Sequence, residues 1–294
     1  MASVQANGIT IEYEEQGSGE PLLLVMGLGG QLTDWPQEFV DLIADRGFRV
    51  IRLDNRDSGL STEFDGPPPT TWQIAKAVMF RRPLVSEYLL TDMAADAAGL
   101  LTALDIDSAH VVGVSMGGMI AQTMAIEHPD KVRSLTSIMS TTGSRKVGQP
   151  TKRIVAKFAR RKPPSSETAI DDAIETFREI CGPTFDEAEF REMAKMSIER
   201  SFRPVGTGRQ TAAIMASGDR TEQLSRLDVP TLVVHGLLDP LVRPSGGMAT
   251  ADAIPGSRLL MFNDMAHDLP RTRWAETADE IARNAARAAA AVSV

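Results

Sequence analysis

What most constrains this chain is an alternation of short, almost wholly apolar runs with longer stretches of helical periodicity. The runs are Pro21–Gly27, Arg49–Asp54, His110–Val114, Leu135–Met139, Pro230–His235 and Arg258–Phe262. They are rich in Val, Ile and Leu and lack the in–out pattern of a strand with one wet face, so they read as strands buried on both sides. Ile9-Thr-Ile-Glu-Tyr13 does alternate, as a half-exposed edge strand would. Helical periodicity falls on Gln37–Asp45, Thr91–Leu104, Met116–Glu127 and Trp274–Ala290. Strand, helix, strand repetition predicts an α/β fold with a mostly parallel sheet and helices on both faces. Reactive groups in such open sheets collect at the carboxyl ends of the strands.

The alternation stops after Thr141 and resumes near Leu227. Residues 142–226 read as a helical cap inserted into a core domain made of residues 1–141 and 227–294. The cap opens on a basic run, Arg145 to Lys162, read as a solvated face. Within that run Ile154, Val155, Phe158 and Ala159 have the spacing to pack downward. A second irregular stretch, Glu63 to Thr71, carries Pro67-Pro-Pro69.

At 294 residues the chain can bury about three quarters of its unfolded surface, so the fold needs no disulfide or metal staple. Cys181 stands alone, which rules out an intrachain disulfide and any paired-cysteine zinc site. A net charge of −8 argues against nucleic acid or an anionic membrane surface as partner. No basic, apolar leader opens the sequence, and no window approaches the roughly 20 apolar residues of a membrane span. The expectation is a cytoplasmic protein without a cofactor or metal; its oligomeric state is left open.

The chemistry concentrates in Gly113-Val-Ser-Met-Gly117, which follows an apolar run and precedes a helical one. That is the strand–turn–helix context a nucleophile elbow requires. A serine on so tight a turn sits on strained backbone, and glycine two residues to either side lets neighbouring chain pass close. Ser115 is therefore the candidate nucleophile. The helix starting at Met116 would aim its N–H groups at developing negative charge.

A serine hydroxyl needs a base, and four histidines are available. His110 opens the strand leading into the elbow and belongs at the far end of the sheet. His128 ends the following helix, and His235 lies inside an apolar strand, where a core or strand-end role fits. His267, in the loop after the last strand, is left as the base. Its carboxylate partner is assigned to Asp239, directly after the penultimate strand, which gives the chain order Ser, Asp, His expected of this elbow type. Asp264 and Asp268 flank His267 but are too local to orient its ring. The backbone N–H groups of Met116 and Leu28 are assigned as oxyanion donors, Leu28 lying in the glycine-rich turn Met26–Gly30.

With these residues in view, the chain resembles the α/β-hydrolase superfamily from Leu22 to Leu269. The segments Leu22–Gly27, Val50–Ser61 and Gly113–Gly118 are most similar to an esterase branch that includes the anthracycline methylesterases of the aclacinomycin type. Many relatives carry His-Gly at the oxyanion loop where this chain has Met26-Gly27; a backbone donor survives that change. The resemblance implies an eight-stranded sheet with the cap between strands six and seven, and a triad of Ser115, Asp239 and His267. Arg56 and Asp57 read as loop-fixing residues. An aspartate at the elbow would point to dehalogenase or epoxide hydrolase chemistry; Ser115 argues against both.

The expected activity is hydrolysis of a carboxylic ester through an acyl-enzyme. The same triad supports cofactor-free perhydrolysis or C–C bond hydrolysis, and the fold also serves small-molecule receptors. The expected partner is a medium or bulky, apolar small-molecule ester. Met139, Met193, Met196 and Met215 are candidates for an adaptable pocket wall.

Overall fold

The computed structural model describes residues 1–70, 72–73, 76, 84–160 and 165–292. Eight strands form one sheet: β1 (Ala2–Ala6), β2 (Ile9–Gln16), β3 (Glu20–Val25), β4 (Phe48–Leu53), β5 (Ala109–Val114), β6 (Val132–Ile138), β7 (Thr231–Gly236) and β8 (Arg258–Phe262). Their spatial order is β1-β2-β4-β3-β5-β6-β7-β8. The β1–β2 and β2–β4 pairs are antiparallel and every other pair is parallel.

Leu22, Leu23 and Leu24 are all fully buried. Because successive strand residues point to opposite faces, this is possible only with a hydrophobic layer on each side of the sheet. Leu23, Val25, Ile51 and Val111 pack with α2 (Leu90–Ala103) and α3 (Met116–Glu127) on one face. Leu22, Leu24, Val50, Val112 and Val234 pack on the other face with Phe39, Val40 and Ile43 of α1 (Gln37–Ala44) and Trp274, Ala278 and Ile281 of α10 (Trp274–Val292). Each such Leu contributes roughly 1.5–3 kcal/mol on burial.

Two expectations need correction. The edge strand is β1, and Ile9–Tyr13 lies second from the edge. Asn7 (φ 49°) and Gly8 (φ 78°) form the tight turn that folds Ala2–Ala6 back onto it. In α4 (Lys152–Arg160) only Ile154 is buried, while Val155 and Phe158 are 50% and 38% exposed and Ala159 also faces solvent. Residues 161–162 of the basic run, and Thr71 at the end of the proline-containing loop, lie outside the described residues.

Between β6 and β7 come α4, α5 (Ala169–Ile180), α6 (Glu187–Arg200), α7 (Pro204–Ser217) and α8 (Thr221–Leu224), and α9 (Ser245–Ala253) lies between β7 and β8. The strand order reverses at β3, which has β4 on one side and β5 on the other. Val25 and Gly113 are paired in register, so the loops after β3 and β5 leave the sheet side by side at its carboxyl edge. That crevice is where ligands bind in sheets of this kind. Among the described residues no helix is long and apolar enough to cross a membrane.

Candidate active site

Ser115 joins β5 to α3 with φ 53° and ψ −118°, a conformation L-residues rarely adopt. It is stapled on both sides: its N–H donates to Ile138 O at 2.9 Å, and its carbonyl accepts from Ser140 Oγ at 2.8 Å. The flanking glycines are required by contact. A Cβ on Gly113 would lie 2.1 Å from Gly117 O, and one on Gly117 would lie 2.0 Å from Val25 O. The strained serine thus sits where the helix start is pressed against β3.

His267 follows β8 on a loop whose path is fixed by backbone bonds. Leu237 N donates to Phe262 O at 2.8 Å, Leu238 N to Met265 O at 3.1 Å, and His267 N to Ile180 O at 2.9 Å. The ring reaches Ser115 Oγ through Nε2 at 3.0 Å and Asp239 Oδ2 through Nδ1 at 2.8 Å. With Asp239 ionised, Nδ1 carries the proton and donates to it, which leaves Nε2 to accept from the serine hydroxyl. The ring is 8% exposed and Asp239 is 3% exposed.

Asp239 is itself fully engaged. Its Oδ1 accepts the N–H groups of Leu241 and Val242, both at 2.9 Å. Burial alone would push its carboxyl up, but the facing His267 charge and hydrogen bonds from His235 and His267 bring it down to about 2. His235 is the residue whose place sequence reasoning underrated. It is completely buried, its Nε2 lies 2.7 Å from Val242 O and 3.4 Å from Asp239 Oδ2, the same carboxylate oxygen that His267 Nδ1 meets. The signal was present in its spacing, since His235 and Asp239 bracket a turn that folds back on the strand end.

The glycine-rich turn after β3 lies against the nucleophile, with a Cβ on Gly27 falling 3.3 Å from Ser115 Cβ. Gly30 N donates to Gly27 O at 3.2 Å, closing the turn. Among the described residues neither Leu28 N–H nor Met116 N–H has a protein acceptor. The arrangement therefore offers a hydroxyl, an imidazole with a free electron pair facing it, a buried carboxylate behind, and two uncommitted amides.

The other candidates fall elsewhere. His110 bonds Ser134 Oγ at 2.9 Å and Glu20 Oε2 at 3.2 Å within the sheet, and His128 caps the end of α3. Asp264 pairs with Arg273 at 3.0 Å. Asp268 Oδ1 accepts from Ala266 N and Gly182 N, both at 3.0 Å, tying the end of α5 to the histidine loop. Arg56 makes a two-pronged pair with Asp96 (2.6 and 2.7 Å), and Asp57 makes one with Arg209 of α7 (2.8 and 2.7 Å). Both pairs are buried and hold the 54–61 loop. Of the four methionines, Met139 is packed into the core and Met196 is 64% exposed, so neither supports the expected pocket wall. Among the described residues no cluster of three or more His, Cys, Asp or Glu side chains is arranged to hold a metal ion.

The chain is similar to known proteins along most of its length. The chain is 27% identical over 275 residues to the rhodomycin D methylesterase DauP of Streptomyces sp. (strain C5), covering 85% of each chain. It is 25% identical over 264 residues to a 2-hydroxymuconate semialdehyde hydrolase of Pseudomonas sp. (strain CF600), covering 89% of this chain and 85% of that one. The crystal structure of the enol-lactonase from Burkholderia xenovorans LB400 superposes with a TM-score of 0.70 at 21% identity, covering 98% of this chain and 100% of the other. The family model for the alpha/beta hydrolase fold matches residues 20–270, from the start of β3 to the loop beyond His267, and the chain belongs to that family.

Proposed function

We propose that the protein is a serine esterase that cleaves a small-molecule carboxylic ester through an acyl-enzyme on Ser115. The observation that carries this reading is the continuous line Asp239–His267–Ser115, with contacts of 2.8 and 3.0 Å, ending beside the unpartnered N–H groups of Leu28 and Met116. Similarity to a methylesterase along most of both chains supports the bond class.

In this mechanism His267 Nε2 takes the Ser115 proton as Oγ attacks the ester carbonyl. Asp239 holds the ring in the tautomer that makes Nε2 the acceptor, and stabilises the imidazolium that forms. The tetrahedral oxyanion is received by the N–H groups of Leu28 and Met116, the second at the positive end of α3. Collapse passes the proton from His267 to the departing alkoxide. Water activated by the same nitrogen then releases the acid. Residues 142–226 act as a cap over the crevice, and a medium or bulky apolar ester fits a site closed in that way.

A panel of esters varying in acyl length and alcohol, assayed on wild type and Ser115→Ala, tests the proposal. Turnover that disappears in Ser115→Ala while its melting temperature stays unchanged supports it. Undiminished cleavage by that variant removes Ser115 from the mechanism. Hydrolysis of a vinylogous diketone in preference to every ester would favour the C–C reading, to which the semialdehyde hydrolase relative lends weight.

A further inference from the structure

We propose that Gln210, on helix α7 between β6 and β7, is a positioning residue that sets the oxyanion donor of Leu28 from across the chain. This rests on Leu28 N–H being an oxyanion donor.

The turn Gly27–Gly30 is closed by Gly30 N donating to Gly27 O at 3.2 Å, and Gly29, its third residue, has φ +70°. A turn of this shape differs from its common alternative by a flip of the central peptide, and the positive φ at the third position belongs to only one of the two. That central peptide carries the Gly29 N–H, which donates to Gln210 Oε1 at 2.8 Å. Gln210 is in turn fixed, since its Nε2 donates to Arg56 O at 2.8 Å and to Ser58 Oγ at 3.0 Å, and the side chain is wholly buried.

The neighbouring contacts hold the segment on either side of the central peptide: before the turn Asn55 Nδ2 donates to Met26 O at 3.0 Å, while the Gly29 amide itself is held by Gln210. The two amides beyond the turn are committed to the core domain, Gln31 N to Asp34 Oδ2 at 2.8 Å and Leu32 N to Asp54 Oδ1 at 2.7 Å. Thr207 stands one helical turn before Gln210 on the same face. Its Oγ1 would lie 2.9 Å from a Cβ on Gly29, so the helix rests directly on a residue that has no side chain. Releasing the Gly29 amide frees the central peptide to flip. The 27–28 peptide, which bears the Leu28 N–H, then tilts away from the place where the oxyanion forms. Misplacement of a donor by about 1 Å is enough to cost on the order of 10²-fold in rate.

The test compares Gln210→Met, which fills the same space without hydrogen bonds, with Gln210→Glu. A carboxyl enclosed here is held protonated by burial. It therefore keeps an acceptor for Gly29 and a donor for Arg56 O. For Gln210→Met the expected result is a kcat lowered roughly tenfold to a hundredfold with KM nearly unchanged. Inhibition by a trifluoromethyl ketone of matched structure, whose serine adduct carries the oxyanion, should weaken by the same factor. Gln210→Glu should recover most of both.

A Gln210→Met enzyme with wild-type kcat and ketone affinity overturns the proposal. So does one whose loss lies in KM and melting temperature alone, or a pair in which Glu is no better than Met. Wild type and Ser115→Ala run alongside separate the two levels. Ester turnover that survives in Ser115→Ala means the esterase reading itself has failed, whereas a serine-dependent wild type with an indifferent Gln210 means that only this inference has.

Discussion

Replacing Asp239 with Asn probes the triad while leaving its shape nearly intact. The two backbone N–H groups of Leu241 and Val242 both point at Oδ1, at 2.9 Å each, so they dictate which way the new amide turns. The amide oxygen must take the Oδ1 place, since an NH2 there would face two donors at once. The NH2 then occupies the Oδ2 place, 2.8 Å from His267 Nδ1. Only a histidine with an unprotonated Nδ1 can accept from it, and such a ring carries its proton on Nε2 and presents a donor to Ser115. The base is then in the wrong tautomer, which in serine triads lowers kcat by about 10⁴, or about 5 kcal/mol of barrier. Steady-state hydrolysis of an activated ester at neutral pH measures the loss, with circular dichroism to verify the fold. Asp239→Asn retaining more than about a tenth of wild-type kcat would refute the tautomer argument.

The same substitution alters acid stability. A carboxyl held at about 2 when folded and near 3.9 when unfolded contributes stability that is complete above the unfolded value and lost as pH falls through the folded one. Urea titrations from about pH 5 to pH 2 should therefore show a drop in wild type that is smaller in Asp239→Asn by on the order of 2 kcal/mol. Arg209→Met leaves Asp57 buried with Tyr88 Oη and Phe64 N as its remaining partners among the described residues, and should cost about 3–5 kcal/mol in a denaturant melt; Asp57→Asn added to it should cost less than the sum of the two single changes. Gly113→Ala drives a methyl group to 2.1 Å from Gly117 O, a backbone atom that cannot step aside; the expected loss is about 3 kcal/mol or more, and a melting temperature equal to wild type would contradict the packing described for the elbow.

How much of this was legible in the sequence depends on how local each signal is. The buried strands announced themselves because two-sided burial demands an unbroken apolar run, as in Leu22–Val25. The elbow was legible because its strand, turn and helix are contiguous. His267 emerged by elimination among four histidines, and the structure brings its ring to both Ser115 and Asp239. Strand β1 is hard to read from the chain because Ala2–Ala6 has little apolar content of its own; its marker is Asn7-Gly8, a hairpin signal. Val155 and Phe158 face outward although their spacing suits packing, because helical spacing gives a face but not the surface it meets. His235 beside Asp239 depends on the return path of the 239–242 turn. The Gln210–Gly29 contact joins residues 181 positions apart, and no periodicity encodes such a meeting. Local chemistry could be read from the chain; the supports brought to it by tertiary folding could not.

The central claim is that Ser115 Oγ carries the acyl group. Rapid mixing with an activated ester, acid quenching and mass spectrometry of the peptide containing Ser115 test it most directly. The mass of the acyl group should appear on that peptide at the burst stage, be absent from Ser115→Ala, and decay at the rate of steady-state turnover. Undiminished turnover with no adduct on Ser115, or an adduct on another residue that forms and decays at the catalytic rate, would contradict it.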